Sequence, residues 1–201
     1  MTLNIVKAVD LTRRLLTDKL SNASVAVDAT CGNGHDTLFL AGGSPAEAIV
    51  WAFDTQPAAL TATARRLAAA GLDGKVKFVE ACHSRLGEYL AGPVDVAMFN
   101  LGYLPGGDHA ATTMADTTVV ALRSILDRLV TGGLMSVIAY PGHPAGYDEN
   151  TAVAGMLATL PSREFTVGCW QALNQRNRPP VLYLVEKTGR GEHESFTSRQ
   201  D

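Results

Sequence analysis

Apolar residues recur along this chain in two rhythms. Ile5, Ala8, Val9, Leu11, Leu15, Leu16 and Leu20 follow helical spacing and predict an amphipathic helix over 4–20. Beyond it the apolar positions bunch into short continuous runs at 25–27, 48–53, 76–79, 94–99 and 134–139. Between these runs, the stretches 36–41, 57–70, 84–90 and 116–130 return to helical spacing. Strands apolar on both faces, alternating with helices, belong to a parallel sheet covered on both sides. The end of the chain breaks the rhythm. A helix around 150–160 is followed by strand-like runs at 164–170 and 181–186. The 174–180 loop between them is too short for the helical crossover that parallel strands need, which predicts an antiparallel hairpin at one sheet edge. One domain over 1–188 follows, opened by the N-terminal helix within 1–20 and trailed by a flexible polar tail at 189–201.

The first strand-like run ends at Asp28 and passes through Cys31-Gly32-Asn33-Gly34-His35 into a helix. Strand, glycine loop and helix form the unit in which a doubly wound sheet holds a nucleotide. By itself a Gly-x-Gly loop is equally well a tight turn. Thr37 stands where the dinucleotide fingerprint has its third glycine, so no pyrophosphate is called for. Asp54 ends the second run, about 20 residues on, where a carboxylate accepts both hydroxyls of a ribose. Its plain alternative is a cap for the helix that opens at Pro57. Gln56 is placed to reach the same sugar or its base, and His83 and Ser84 follow the third run, where a nucleoside base would lie. Asp28, ending the first run, suits a cationic group better than a phosphate. A six-strand parallel core with an antiparallel seventh strand, and acids around a nucleoside with a cationic end, describe S-adenosylmethionine in the class I methyltransferase fold, a Rossmann-like α/β sheet.

The fourth run ends in Asn100-Leu101-Gly102-Tyr103. Amino-group methyltransferases often carry Asn/Asp-Pro-Pro-Tyr there, with the Asn oxygen orienting the target nitrogen, and this tetrapeptide looks like a relaxed version. Asn100 is the expected positioner of the acceptor and also borders the cofactor; Tyr103 is expected to pack on it. Asp36 and Tyr140 are candidates to receive the acceptor's proton. Two turn-rich loops, 104–109 and 140–143, face the same crevice and offer Gly106, Asp108, His109 and His143 to the substrate. His109 and His143 lack further partners at ligand spacing, so no metal is predicted.

Composition narrows the partners. Net charge is −3 over 201 residues, which excludes a strongly basic nucleic-acid coat protein. The charge is uneven: residues 1–20 carry +2, 21–170 carry −6 and 171–201 carry +1. Acids thus gather where a cationic cofactor would sit, and bases lie at the ends. Lys7, Arg13, Arg14 and Lys19 near the start are candidate phosphate contacts. So is the loop holding Asn174, Gln175, Arg176, Asn177 and Arg178, whose amides can read base edges. Three widely spaced cysteines do not make a disulfide framework and indicate reduced thiols in the cytoplasm. No run of apolar residues is long enough to cross a bilayer.

Four segments together resemble one family. They are 28–41 (Asp-Ala-Thr-Cys-Gly-Asn-Gly-His-Asp-Thr-Leu-Phe-Leu-Ala), Phe53-Asp54-Thr55-Gln56, the stretch 99–108, and Leu173-Asn174-Gln175-Arg176-Asn177. In these the chain is similar to the bacterial YtqB/MnmM-like rRNA methylase family, from the first helix to Lys187. The resemblance implies an S-adenosylmethionine-dependent methyltransferase. Its better understood members convert 5-aminomethyl-2-thiouridine at tRNA position 34 to the methylaminomethyl form, which makes the tRNA anticodon arm the expected partner; the resemblance also suggests a homodimer. His109 and Pro141 depart from the family pattern, which more often has Lys and His there. A methyltransferase for rRNA or for a small-molecule amine or hydroxyl, and a non-catalytic RNA-binding scaffold, are the competing readings.

Overall fold

The computed structural model describes residues 7–102 and 113–189. Seven strands form one sheet: β1 (Val25–Asp28), β2 (Ile49–Asp54), β3 (Val76–Glu80), β4 (Val94–Asn100), β5 (Leu129–Ala139), β6 (Phe165–Gln171) and β7 (Val181–Lys187). Their order is β3-β2-β1-β4-β5-β7-β6. The first five are parallel, and β7 is antiparallel to both β5 and β6. The C-terminal hairpin therefore inserts its second strand into the sheet and leaves its first at the edge. This is the sheet the sequence predicts, with β7 as the reversed strand.

Among the described residues six α-helices cover it: α1 (Ala8–Leu20), α2 (His35–Gly43), α3 (Pro57–Ala69), α4 (Leu86–Tyr89), α5 (Ala115–Arg128) and α6 (Pro144–Ala158). Leu16 and Leu20 of α1, Leu40 of α2 and Leu67 of α3 are fully buried with Val50, Val96 and Met98 on one face of the sheet. Leu122 and Ile125 of α5 and Val153 and Leu157 of α6 pack with Phe53, Phe99 and Val137 on the other. Helices on both faces explain why the strands read as unbroken apolar runs. The N-terminal helix covers its own sheet.

Two elements extend beyond the sequence pattern. Strand β5 begins at Leu129, not near 134, because the Thr131-Gly132-Gly133 turn signal is absorbed as an irregularity in its pairing with β4. Gly132 has φ 70°, and a Cβ on Gly133 would lie 2.7 Å from the Val130 carbonyl. Only glycine fits this bulge. Helix α6 starts at Pro144, six residues before the position its apolar spacing indicates. Proline at its first turn and His143 as N-cap, whose Nδ1 accepts from Gly146 N at 3.1 Å, set that start. The helix expected over 84–90 is a 3₁₀ turn at His83–Arg85 running into α4.

Candidate active site

A crevice of about 750 Å³ lies over the C-terminal ends of β1, β2, β4 and β5. Ligands in open α/β sheets bind here, where the strand order reverses. Gly32, Asn33, His35, Asp36, Asp54, Gln56, His83, Asn100, Tyr140, His143 and Arg178 all line it. Sequence reading thus gathers residues from six loops at one place.

The nucleoside side is held by backbone donors. Asp54 Oδ2 accepts from Gly32 N at 2.8 Å and Oδ1 from Gln56 N at 2.9 Å. Its carboxylate pins the glycine loop to the end of β2 and keeps lone pairs toward the crevice. Gly32 and Gly34 have φ 51° and 77°. A Cβ on Gly34 would sit 2.6 Å from Thr63 Oγ1, so this glycine serves the packing of α3 beneath the loop. Arg66 Nε adds a bond to Asn33 O at 2.8 Å. His83 is 6% exposed, edge-on to Phe99, and within 3.3 Å of Thr118 Oγ1 through Nε2. Burial pushes it down to about 4, so the ring is neutral at physiological pH.

Asp28 lies behind the wall of the crevice. It is completely buried, does not border the crevice, and accepts from Thr37 Oγ1 at 2.6 Å and Thr30 N at 3.1 Å. Burial, with Asp36 and then Asp54 as like charges, pushes it up to about 7 against the hydrogen bonds from Thr37 and Thr30. Three carboxyl groups thus lie close beneath a cavity, and the most buried one is partly protonated. Arg13 Nη2, 2.8 Å from Asp36, offsets one of these charges, and a cation in the crevice would relieve the repulsion that remains. The site fits a nucleoside with a positively charged end.

The acceptor side is a chain of side chains. Asn100 N donates to Thr30 Oγ1 at 2.8 Å, joining the end of β4 to the glycine loop. Asn100 Nδ2 donates to Asp36 Oδ2 at 3.3 Å, and Tyr140 Oη donates to Asn100 Oδ1 at 2.9 Å. With a carboxylate on one side, the amide must turn its NH₂ there and its carbonyl toward Tyr140 and the crevice. Burial and the Asp36 charge push Tyr140 above the ordinary phenol value. In this arrangement the protonated phenol of Tyr140 is the donor to Asn100.

Beneath this chain lies a second polar cluster that the sequence did not reveal. Glu149 on α6 is 2% exposed and accepts from Thr118 Oγ1 at 2.6 Å and Thr113 Oγ1 at 2.8 Å. Thr113 in turn accepts from Gly102 N at 2.7 Å. Gly102, Thr113 and Thr118 are thereby tied to Glu149. Burial pushes Glu149 up, opposed by the two threonines and by His143. Only α6, whose start was placed too late, could have signalled it.

At the rim, Arg178 and Asn177 have φ 49° and 64°, left-handed values that side chains rarely adopt. Arg178 Cζ lies 4.5 Å from the centre of the Tyr147 ring. The β6–β7 loop is bent so that Arg178 reaches the crevice, while Asn174, Gln175, Arg176 and Asn177 do not line it. Neither do Gly34 and Ser84, whose Oγ donates to Cys82 Sγ at 3.2 Å. Lys19 pairs with Asp95 at 3.3 Å, at the opposite end of the strands. Tyr103, Gly106, Asp108 and His109 fall outside the described residues. Among the described residues no helix is long and apolar enough to cross a membrane, no cluster of three or more metal-ligating side chains occurs, and all three cysteines are free.

Comparison with known proteins agrees with this geometry. The model of the family described as "Putative rRNA methylase" matches residues 50–186. A chloroplastic tRNA (mnm(5)s(2)U34)-methyltransferase of Arabidopsis thaliana is 34% identical over 191 residues, covering 90% of this chain and 70% of the relative. Among solved structures, an rRNA methylase from Clostridium thermocellum (also described as "putative") superposes with a TM-score of 0.89 at 36% identity, covering 92% of this chain and all of that one. A "putative methyltransferase" from Streptococcus mutans, in complex with SAH, gives 0.83 at 36% identity over 91% of this chain and 99% of its own. The chain belongs to the rRNA methylase family, and is a methyltransferase of the class I, S-adenosylmethionine-dependent fold.

Proposed function

We propose that this protein methylates a primary amine carried by a tRNA wobble uridine, the aminomethyl group of 5-aminomethyl-2-thiouridine at position 34. The observation that carries the reading is the acceptor chain Tyr140–Asn100–Asp36, which turns one amide oxygen toward the crevice beside a carboxylate. The substrate of the Arabidopsis relative supports it, because that nucleoside presents an alkylamine on a short arm. S-adenosylmethionine supplies, when bound, an electrophilic methyl group on a sulfonium. Asp54, Gln56, His83 and the 32–35 loop would hold its nucleoside, and Asp36, with Asp28 behind it, would face its cationic end.

The residues of the chain do the rest. An alkylamine is protonated near neutrality and cannot act as a nucleophile until its proton leaves. Asn100 Oδ1 has one lone pair taken by Tyr140 and one left to accept an N–H of the amine. Asp36 is the neighbouring carboxylate and receives the proton. The half-buried crevice excludes water and favours the neutral amine. Most of the acceleration comes from holding nitrogen and methyl in line, and Asn100 is the residue that fixes the nitrogen.

Arg178 stands at the rim with its guanidinium against Tyr147, suited to a phosphate or to the face of a base in the anticodon arm. Arg176 and the amides of Asn174, Gln175 and Asn177 lie on the same exposed loop, outward of the crevice, where an RNA longer than one nucleotide passes. His143 is the cap of α6 first and a wall of the crevice second. Two copies would pair through surfaces other than the buried face of α1, and sedimentation of the purified chain tests whether they do. Nucleoside analysis of tRNA from a strain lacking this protein tests the function. The unmethylated aminomethyl nucleoside should accumulate and vanish on complementation. A normal wobble nucleoside together with an undermethylated rRNA would overturn the reading.

A further inference from the structure

Arg13 lies on α1, among the bases that the sequence offers to RNA phosphates. Its guanidinium is spent elsewhere. Nε and Nη2 both donate to Asp36 Oδ1, at 3.2 and 2.8 Å. The Asp36 side chain is 8% exposed and that of Arg13 30%. Phe39, one turn further along α2, lies against the same guanidinium, with Cζ 5.8 Å from the ring centre. The helix that carries Arg13 is fixed to the sheet by Leu16 and Leu20, both completely buried. The cation is therefore held from below by its own helix and from the side by α2.

The effect of this pair is felt at Asn100. Arg13 occupies one oxygen of Asp36, which leaves the other to Asn100 Nδ2 at 3.3 Å. Two guanidinium N–H groups converge on that one oxygen, which holds it in place and leaves the second oxygen to face Asn100. That oxygen decides which way the Asn100 amide faces. A flipped amide would set its carbonyl against the carboxylate. Tyr140 cannot enforce the choice, since its hydroxyl donates to an oxygen or accepts from an NH₂ with equal ease.

We propose that Arg13 is a positioning residue of the acceptor site: by gripping Asp36 it fixes the orientation of the Asn100 amide and keeps its oxygen turned to the crevice. This rests on the reading of Asn100 given above. The Asp36 end of the pair is buried, so removing Arg13 also costs some stability, and turnover is compared well below the unfolding midpoint of each protein.

The test compares the parent with Arg13→Ala and Arg13→Lys, using the intact chain, S-adenosylmethionine and undermethylated tRNA. For Arg13→Ala, kcat should fall about tenfold, while KM for tRNA and the cofactor Kd stay within about twofold. Arg13→Lys should recover part of the loss, because an ammonium restores the charge beside that oxygen without the paired N–H groups of the guanidinium, and millimolar ethylguanidinium should restore Arg13→Ala. An unchanged kcat overturns the proposal. So does a raised KM for tRNA with kcat intact, which would make Arg13 a phosphate contact. So does a joint fall of unfolding midpoint, cofactor affinity and kcat without rescue, which would make it structural. A second readout needs no substrate. The side-chain amide of Asn100, assigned by its loss from the ¹⁵N spectrum of Asn100→Ala, should exchange with solvent about tenfold faster in Arg13→Ala. If that amide responds while the parent methylates no tRNA, the positioning role stands and the substrate reading fails. If the amide does not respond, the positioning role fails whatever the activity.

Discussion

The two halves of the crevice are built differently. Around Asp54 the partners are backbone amides, Gly32 N and Gln56 N, placed by the turns that carry them. Around Asn100 the partners are side chains, Tyr140 just after β5 and Asp36 of α2 with Arg13 of α1 behind it, brought together across 23 to 64 residues of sequence. A backbone cradle tolerates change in neighbouring side chains and keeps one shape. A side-chain relay has a geometry that each member sets for the next. The first suits a cofactor that is always the same; the second suits the orientation of a reacting nitrogen. The bond from Asn100 N to Thr30 Oγ1 joins the two halves.

If the division holds, damage to each half should be felt in a different constant. The largest effect belongs to Asp54→Ala. It removes the acceptor of two backbone amides along with the ribose contact proposed for it, and cofactor affinity by calorimetry should fall about a hundredfold. A Kd within a few-fold of the parent would show that the loop holds itself. Asn100→Ala comes next. Turnover should drop by more than about tenfold with the cofactor Kd nearly intact. Loss of both constants together would mean that the halves are not separable.

Asp28 offers a pH test of the cradle. It holds its proton in the fold up to about 7, against an ordinary value of 3.8. Between those values the folded chain binds more protons than the unfolded one, so this group makes stability fall as pH rises across the window and adds no slope above it. Urea unfolding of Asp28→Asn should lack that contribution, and the gap to the parent should widen toward pH 7 by on the order of a kcal/mol. Parallel pH profiles for the two proteins would remove Asp28 from the account. The smallest effect is expected for Tyr140→Phe, about threefold in kcat, because Asp36 still sets the amide. A loss as large as that of Asn100→Ala would make the phenol an equal partner.

The same contrast explains what was legible in the sequence. Every strand of the sheet and the cradle residues Gly32, Asp54 and Gln56 could be read from local patterns, because turn glycines and strand-end acids report their own surroundings. The start of α6 was placed late because Pro144 and the His143 cap, not apolar spacing, define it. The apolar run shows Asp28 at the end of β1, yet spacing cannot show that Thr37 covers its carboxylate. Arg13 reads as a solvated or RNA-facing base until α1 is laid beside α2. Glu149 looks like any polar residue of a helix, and only burial identifies it as the anchor for Thr113 and Thr118. Long-range pairs between side chains leave no mark in local composition.

The most direct test of the central claim is transfer with purified components. The protein is incubated with methyl-deuterated S-adenosylmethionine and tRNA that carries the aminomethyl nucleoside, and the nucleosides are then resolved by mass. One deuterated methyl should appear on the aminomethyl group of the wobble uridine, and Asn100→Ala should leave that nucleoside nearly unlabelled while still binding the cofactor. Label on another nucleoside, on rRNA alone, or at an undiminished rate in Asn100→Ala would contradict it.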